Sequence, residues 1–280
     1  MIKPYFETKL GKLYHGDCLE IMPELEPVDL VLTDPPYGTI ACEWDSVIQI
    51  EPMWKQLKRI IREGGNGAIV LMSAQPFTSV LISSNLTMFK YEWVWEKTIA
   101  SGFINCKNRP ISKHENICVF SLGTVANKSK RLMKYNPQGL IYAPYHKKRL
   151  QPMTAKPGGF LGMRPSHVAE YDVEYINYPK SVIKVANPNT GLLHPTQKPV
   201  VLMEYLIKTY SNKNETVLDF CVGSGTTAIA CERLNRKWIG IEIEEKYCEI
   251  AVKRIEENLT VMERIERSEK GITKKTGLLF

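Results

Sequence analysis

Two periodicities alternate along the chain: short apolar runs bounded by turn residues, which read as buried strands, and stretches with apolar residues three or four apart, which read as helices. Lys12 to His15 reads as a strand, Cys18 to Leu25 as a short helix, and Val28 to Thr33 as a buried strand stopped by Asp34-Pro35-Pro36. A helix is predicted from about Ile50 to Ile61, where Met53, Trp54, Leu57, Ile60 and Ile61 share one face, with Gly64-Gly65 ending it. Ala68 to Met72, Tyr91 to Glu96 and Asn116 to Phe120 read as further strands, with a helix from about Phe77 to Ser84 between the first two.

The alternation returns late in the chain. Val200 to Tyr210 is amphipathic, with Leu202, Met203, Leu206 and Ile207 inward, and leads into Thr216-Val-Leu-Asp219, a short buried strand. The turn Phe220-Cys-Val-Gly-Ser-Gly225 follows, then a helix from Thr226 to Leu234, a strand from Lys237 to Ile241 ending at Glu242, and a helix from Glu244 to about Asn258. Together these make a βαβα unit. From Gly123 to about Asn189 the pattern dissolves into proline, glycine, tyrosine and basic residues, which predicts an inserted, irregular lobe. Glu263 to Lys275 is charge-rich and is expected to fray.

The implied architecture is α/β: a doubly wound, mostly parallel, seven-stranded sheet. Four stretches are expected: 1–122 and 191–258 as two halves of one domain, 123–190 as the insertion, and 259–280 as a charged tail. A chain of 280 residues has room for one substantial core and a smaller lobe. No apolar run approaches the roughly 20 residues of a membrane span, and Lys3, Glu7 and Lys9 argue against a leader peptide at the start, so a soluble, cytoplasmic protein is expected. The seven cysteines form no C-x-x-C pair and no metal-ligand spacing with the histidines, so reduced thiols and no metal are expected.

Charge becomes informative through its distribution. The net charge is +7, yet between Asn116 and Ala169 there is no acid at all, while Lys128, Lys130, Arg131, Lys134, Lys147, Lys148, Arg149, Lys156 and Arg164 all fall there. Such a stretch would be drawn to a phosphate backbone. Tyr135, Tyr142, Tyr145 and Phe160 interleave with these cations, which suits backbone contacts plus stacking or wedging, and equally suits the small core of a lobe.

Two constellations carry candidate chemistry. Gly223 and Gly225, after a strand and before a helix, allow a ligand close to the backbone and to the free amides of the helix start. Glu242, about 20 residues on and at the end of the next strand, can accept hydrogen bonds from both hydroxyls of a ribose, which implies an adenosine-containing cofactor. The second is Thr33-Asp34-Pro35-Pro36-Tyr37-Gly38 at the carboxyl end of a buried strand. An exocyclic amine is a poor nucleophile because its lone pair is delocalised into the ring. A carboxylate (Asp34) and a carbonyl (Pro35) that accept its hydrogens push the nitrogen toward an attacking geometry. Pro36 stiffens the loop, and Tyr37 offers a flat face to a base taken out of the duplex.

Asp34-Pro-Pro-Tyr37 upstream and Asp219-Phe-x-x-Gly-x-Gly-Thr-Thr227 downstream resemble the amino-methyltransferases of DNA, in their β-class order, over about Leu13 to Arg254. The resemblance implies a circularly permuted Rossmann-like fold, S-adenosyl-L-methionine as cofactor, double-stranded DNA as substrate and N6 of adenine as acceptor. It also implies a homodimer and leaves room for a cognate restriction enzyme. It assigns catalysis to Asp34, Pro35, Pro36 and Tyr37, and cofactor contacts to Asp17, Thr196, Lys198, Asp219, Phe220, Gly223, Gly225, Thr226 and Glu242. Within that set, Asp17 would approach the cofactor's adenine amine, while Thr196 and Lys198, in His194-Pro-Thr-Gln-Lys-Pro199, would meet its carboxylate. Trp93 to Lys97 and His114 to Phe120 resemble strands that border the base pocket, and are read as structural.

N4 of cytosine needs the same activation and cofactor, although relatives acting there usually carry serine where this chain has Asp34. An enzyme acting on RNA or on a glutamine amide, and an inactive nucleotide-binding module, are the more distant alternatives. Direct in-line transfer needs no covalent intermediate, which would make Cys42 a bystander. Thr39 to Trp44 matches no pattern.

Overall fold

The computed structural model describes residues 2–38, 47–62, 64, 66–148, 170–187 and 197–276. They fall into two compact units, Met1–Asn136 with Ser181–Phe280, and Pro137–Lys180.

In the larger unit, strands β1 (Phe6–Glu7), β2 (Gly11–His15), β3 (Leu30–Thr33), β4 (Ala68–Ser73), β5 (Phe89–Ser101) and β6 (Ser112–Phe120) come from the first half. β7 (Ile141–Lys148) and β8 (Glu170–Ile176) belong to the smaller unit, after which β9 (Val182–Val185), β10 (Thr216–Asp219) and β11 (Lys237–Glu242) complete the sheet. The helices are α1 (Cys18–Ile21), α2 (Ile50–Ile60), α3 (Phe77–Ser84), α4 (Val200–Tyr210), α5 (Thr226–Leu234) and α6 (Glu245–Thr276). The strand order is β1-β2-β11-β10-β3-β4-β6-β5-β9. From β2 to β4 neighbours run parallel, β6 is antiparallel to both β4 and β5, and β9 runs parallel to β5. The seven central strands are those of the expected mostly parallel sheet; β1 and β9 add one at each edge.

Period-two alternation sorts the side chains into two cores. Leu30 and Leu32 of β3, with Val70 and Met72 of β4, face Leu202, Met203 and Leu206 of α4, Ala228 and Ile229 of α5 and Ala251 and Ile255 of α6. Val31, Ile69 and Leu71 face the other way, onto Met53, Trp54 and Leu57 of α2 and Phe77 and Leu81 of α3. Because both faces are covered, β3 and β4 are buried along their whole length, which is why they read as unbroken apolar runs.

Several boundaries differ from the sequence pattern. α2 stops before Gly64 is reached: Ile61 is already extended and bridges to Val28, whose amide donates to the Ile60 carbonyl. β5 and β6 run well past their apolar stretches into an exposed hairpin, where polar residues conceal the strands. α6 continues to Thr276 through the charged stretch, whose Glu, Arg and Lys residues are good helix formers. β9 was hidden because an edge strand with alternating exposure carries no apolar run. Residues 121–136 also stay with the larger unit: Met133 is buried and the Asn136 amide donates to the Thr209 carbonyl. The smaller unit, 137–180, is thus narrower than the stretch 123–190.

Among the described residues of that smaller unit, β7 and β8 form a two-stranded antiparallel ribbon where the sequence pattern predicts irregular chain. Its register shifts between Tyr142 and Tyr145, where Pro144 has no amide to give the ladder. Tyr142 meets Tyr175 edge to face at 5.6 Å, and His146 lies 2.8 Å from Asp172.

Gly11 pairs with Trp238 across β2 and β11, and a Cβ on it would lie 2.2 Å from the indole. Trp238 is 2% exposed and donates to Glu232 at 2.7 Å, so it has no room to retreat. Gly11→Ala is expected to lower the urea midpoint by the equivalent of about 1–3 kcal/mol; an unchanged midpoint would show that the indole moves freely.

Candidate active site

The two constellations meet at adjacent strand tips. β3 and β10 are parallel neighbours, with Leu30 opposite Val217 and Val31 opposite Leu218, so the loops that follow Thr33 and Asp219 leave the same edge side by side. The buried Thr33 hydroxyl donates to Asp219 Oδ1 at 2.6 Å, and the Cys221 amide donates to the same oxygen at 3.2 Å. One carboxylate therefore ties the end of one strand to the start of the glycine loop beside it. Burial pushes Asp219 up to about 6, with hydrogen bonds from Thr227, Thr33 and Cys221 opposing the rise.

Asp34 follows Thr33 directly and is engaged on both oxygens. The Tyr37 hydroxyl donates to Oδ1, and the Lys198 ammonium donates to Oδ2. Lys198 also lies 3.4 Å from Glu115 Oε2, while Lys97 donates to Glu115 Oε1 at 2.9 Å. Antiparallel pairing explains why Glu115 is there. Asn116 of β6 stands opposite Ser73, the last residue of β4, so Glu115 lies one residue beyond the carboxyl edge.

Burial raises the Asp34 carboxyl above its usual range; Lys198 pulls it back and the charge on Glu115 pushes it further up. For Lys198 burial acts downward, but Asp34 and Glu115 outweigh it and hold the ammonium above its ordinary value. Glu115 is held low, because Lys198 and Lys97 outweigh its own burial. Burial, then Asp34, pushes the Tyr37 hydroxyl well up, so it stays a donor. The Tyr37 ring stacks on Phe77, with centroids 5.5 Å apart.

On the glycine side, the Gly223 amide donates to Glu242 Oε2 at 2.8 Å and the Glu244 amide to Oε1 at 3.0 Å. Glu242 is 7% exposed, and burial raises its carboxyl. Gly225 caps α5 at a φ of +81°, and a Cβ there would lie 3.1 Å from Ala251. Both demands select glycine. Asp17 stands just past the end of β2, next to β11, and its exposed carboxylate accepts the Leu19 amide at 2.8 Å as the cap of α1. Gln197 and Lys198 link the two halves: Ser224 of the glycine loop donates to Gln197 at 3.3 Å, and the next residue, Lys198, holds Asp34.

The structure therefore brings Asp34, Pro35, Tyr37, Asp219, Gly223, Gly225 and Glu242 to one edge. Lys198, expected at a cofactor carboxylate, contacts the chain's own Asp34 and Glu115. Phe220 is 1% exposed and belongs to the core beneath the sheet. Thr226 is 6% exposed and accepts from Arg254 at 3.3 Å. Thr196 lies outside the described residues, as do Thr39 to Trp44 with Cys42.

Among the basic residues read as phosphate contacts, Lys134 pairs with Glu215, which precedes β10, and its amide donates to Asn66, which precedes β4. It is anchored at the amino edge, away from Asp34, and its charge is already satisfied. Lys128, Lys130 and Arg131 are exposed on a loop whose other end, Ser121, is also held at that edge through Gly67. Lys147 and Lys148 lie on β7, whereas Arg149, Lys156 and Arg164 fall outside the described residues. Lys97 and Glu115, which lie in the strands read as structural borders of the base pocket, carry charge into the site; Gln197, in the segment before α4, was given no role of its own, and Phe77 was read only as part of a helix.

An acid-proline loop and a glycine loop sharing one edge of this sheet accord with the family comparison, in which residues 28–253 match the N6/N4 DNA methylase model. The chain belongs to that DNA methylase family. It is 26% identical to the type II methyltransferase M2.LlaDCHI of Lactococcus lactis subsp. cremoris, over 93% of this chain and 94% of that protein. Among solved structures, the S-adenosylmethionine complex of M1.HpyAVI is 24% identical, with a TM-score of 0.59 over 88% of this chain and 99% of that one. The cytosine-N4-specific PvuII DNA methyltransferase, 19% identical, has a TM-score of 0.62 over 94% and 95% of the two chains. These two share its fold.

The DNA methylase is thus an S-adenosylmethionine-dependent enzyme, and the residues at the edge fit that cofactor. The buried Glu242 carboxylate and the exposed Asp17 carboxylate are acceptors matched to the hydroxyl and amine donors of an adenosine, and the start of α5 offers amides to an anion.

The raised Asp219 carboxyl makes a prediction about folding. A native-state value of about 6 against an ordinary 3.8 means that the folded chain binds this proton more tightly than the unfolded one. Relative to Asp219→Asn, the native protein should lose about 3 kcal/mol of stability as pH rises from about 4 to 6 and none above 7. Urea titrations of both proteins across that range check it, and a difference that stays level with pH would contradict it.

Proposed function

We propose that the enzyme methylates the N6 amine of adenine in duplex DNA, with Asp34 and the Pro35 carbonyl as acceptors for the amine hydrogens. The observation that carries this reading is a cation-held acid at the tip of β3, directly beside the glycine loop. Each carboxylate oxygen has a second lone pair, so Asp34 can accept from the amine while Tyr37 and Lys198 remain bound to it. The bound cofactor supplies an electrophilic methyl: the amine nitrogen forms the new bond to carbon as the carbon–sulfur bond breaks, its electron pair remaining on sulfur. The nitrogen then releases one proton. Asp34, whose proton affinity is raised by burial, suits its transient capture.

The cofactor would be held by Asp17, Glu242 and the glycine loop from Gly223 to Thr226. The base would have to leave the duplex to reach Asp34, and Tyr37, backed by Phe77, offers it an aromatic surface. In the ribbon β7–β8, Tyr142 is 66% and Tyr145 47% exposed, on the strand that carries Lys147 and Lys148. That composition suits a DNA-reading element. Adenine is favoured over cytosine by the acid at position 34, where the family resemblance implies serine for most cytosine enzymes. The type II methyltransferases among its relatives support a role as the modification half of a restriction pair.

Incubating the chain with methyl-labelled cofactor and mixed-sequence duplex DNA, then digesting to nucleosides, is expected to give labelled N6-methyldeoxyadenosine. Asp34→Ala should reduce incorporation by about 100- to 1000-fold. Label in N4-methyldeoxycytidine would overturn the choice of base, and full activity of Asp34→Ala would overturn the role of the acid.

A further inference from the structure

Four charged side chains from four separate elements meet at the edge behind Asp34: Lys97 from β5, Glu115 from β6, Lys198 just before α4, and Asp34 after β3. All are largely out of solvent, with side-chain exposures of 8%, 16%, 7% and 19%. Two cations and two anions alternate in a line from Lys97 through Glu115 and Lys198 to Asp34, which ends on the Tyr37 hydroxyl. Such a set is a poor way to gain stability, because well-packed apolar residues of similar volume do at least as well. Its position at the tip that bears Asp34 points to another purpose.

We infer that Lys198 is a positioning residue that fixes the Asp34 carboxylate for the substrate amine, and that Glu115, itself anchored by Lys97, sets where the Lys198 ammonium sits. This rests on the proposed role of Asp34 and goes beyond it, because it moves Lys198 from the cofactor to the base pocket and recruits two residues of the β5–β6 hairpin. Glu115 Oε2 is buried and, although 3.4 Å from Lys198, accepts no aligned hydrogen bond. Its charge holds the ammonium beside Asp34.

The groups that act on Asp34 are Lys198, Tyr37, Glu115 and, from β10, Asp219. Among them Lys198 lowers the proton affinity of Asp34 and Glu115 raises it. Removing each should therefore move the acidic limb of the rate profile in opposite directions. The test uses the full chain with labelled cofactor and duplex DNA, following kcat against pH, beside equilibrium binding of S-adenosylhomocysteine and thermal melting.

For Lys198→Met, kcat near neutral pH should fall at least about 100-fold, with the acidic limb moved upward and S-adenosylhomocysteine affinity within a few-fold of the native chain; Lys198→Arg should recover part of the rate. For Glu115→Gln the limb should move downward, with a smaller loss of rate. Loss of S-adenosylhomocysteine binding in Lys198→Met with an unmoved limb would overturn the inference and return Lys198 to the cofactor. If Lys198→Met does not fold, the limb of Glu115→Gln decides alone, and an upward or absent shift overturns the proposal. An Asp34→Ala chain that keeps full activity would instead remove the underlying reading, which separates the two failures.

Discussion

A carboxylate withdrawn from water at a strand tip keeps its charge only if fixed partners replace its hydration. Left alone it would take up a proton and cease to be a strong acceptor. Asp34 meets this condition through a lysine on one oxygen and a tyrosine hydroxyl on the other. The tyrosine is a near neighbour in sequence but the lysine comes from a distant part of the chain, so the acid exists in its working form only in the assembled fold.

The fold delivers those partners through strand direction. Parallel pairing of β10 beside β3 brings Gly223 and Asp34 to neighbouring loops, although they are 189 positions apart in sequence. The antiparallel β6 reverses the sense, so that a residue near its start, Glu115, lies at the same edge. Gln197 and Lys198, entering α4, close the arrangement by contacting one loop each. Four hydrogen-bonded links, Thr33 to Asp219, Gly223 to Glu242, Lys198 to Asp34 and Lys97 to Glu115, span the edge before any ligand arrives.

How much of this was legible in the sequence depends on whether a residue's role was local. The central strands and their helices were readable, because double-sided burial makes β3 and β4 near-continuous apolar runs and single-sided burial gives α2 and α4 their stripes. The two loops were readable because proline and glycine declare their backbone demands. Lys198 was singled out through the family resemblance, but its partner was not readable. An ion pair between residues 34 and 198 leaves no trace in either neighbourhood. The same holds for Lys134, whose charge looked available for phosphate until Glu215 was seen beside it. Edge strand β9 and the extended ends of β5 and β6 escaped because half-exposed strands carry too few apolar residues to stand out.

The central claim is that the acid loop and the glycine loop form a single cleft in which one ligand touches both. A crystal structure of the chain with S-adenosylhomocysteine tests it most directly. The account predicts the ribose on Glu242 and the sulfur directed at Asp34, separated from it by no more than one methyl-transfer distance and one hydrogen bond. A ligand seated on Glu242 whose sulfur points away from Asp34, with Lys198 on its carboxylate, would contradict the account.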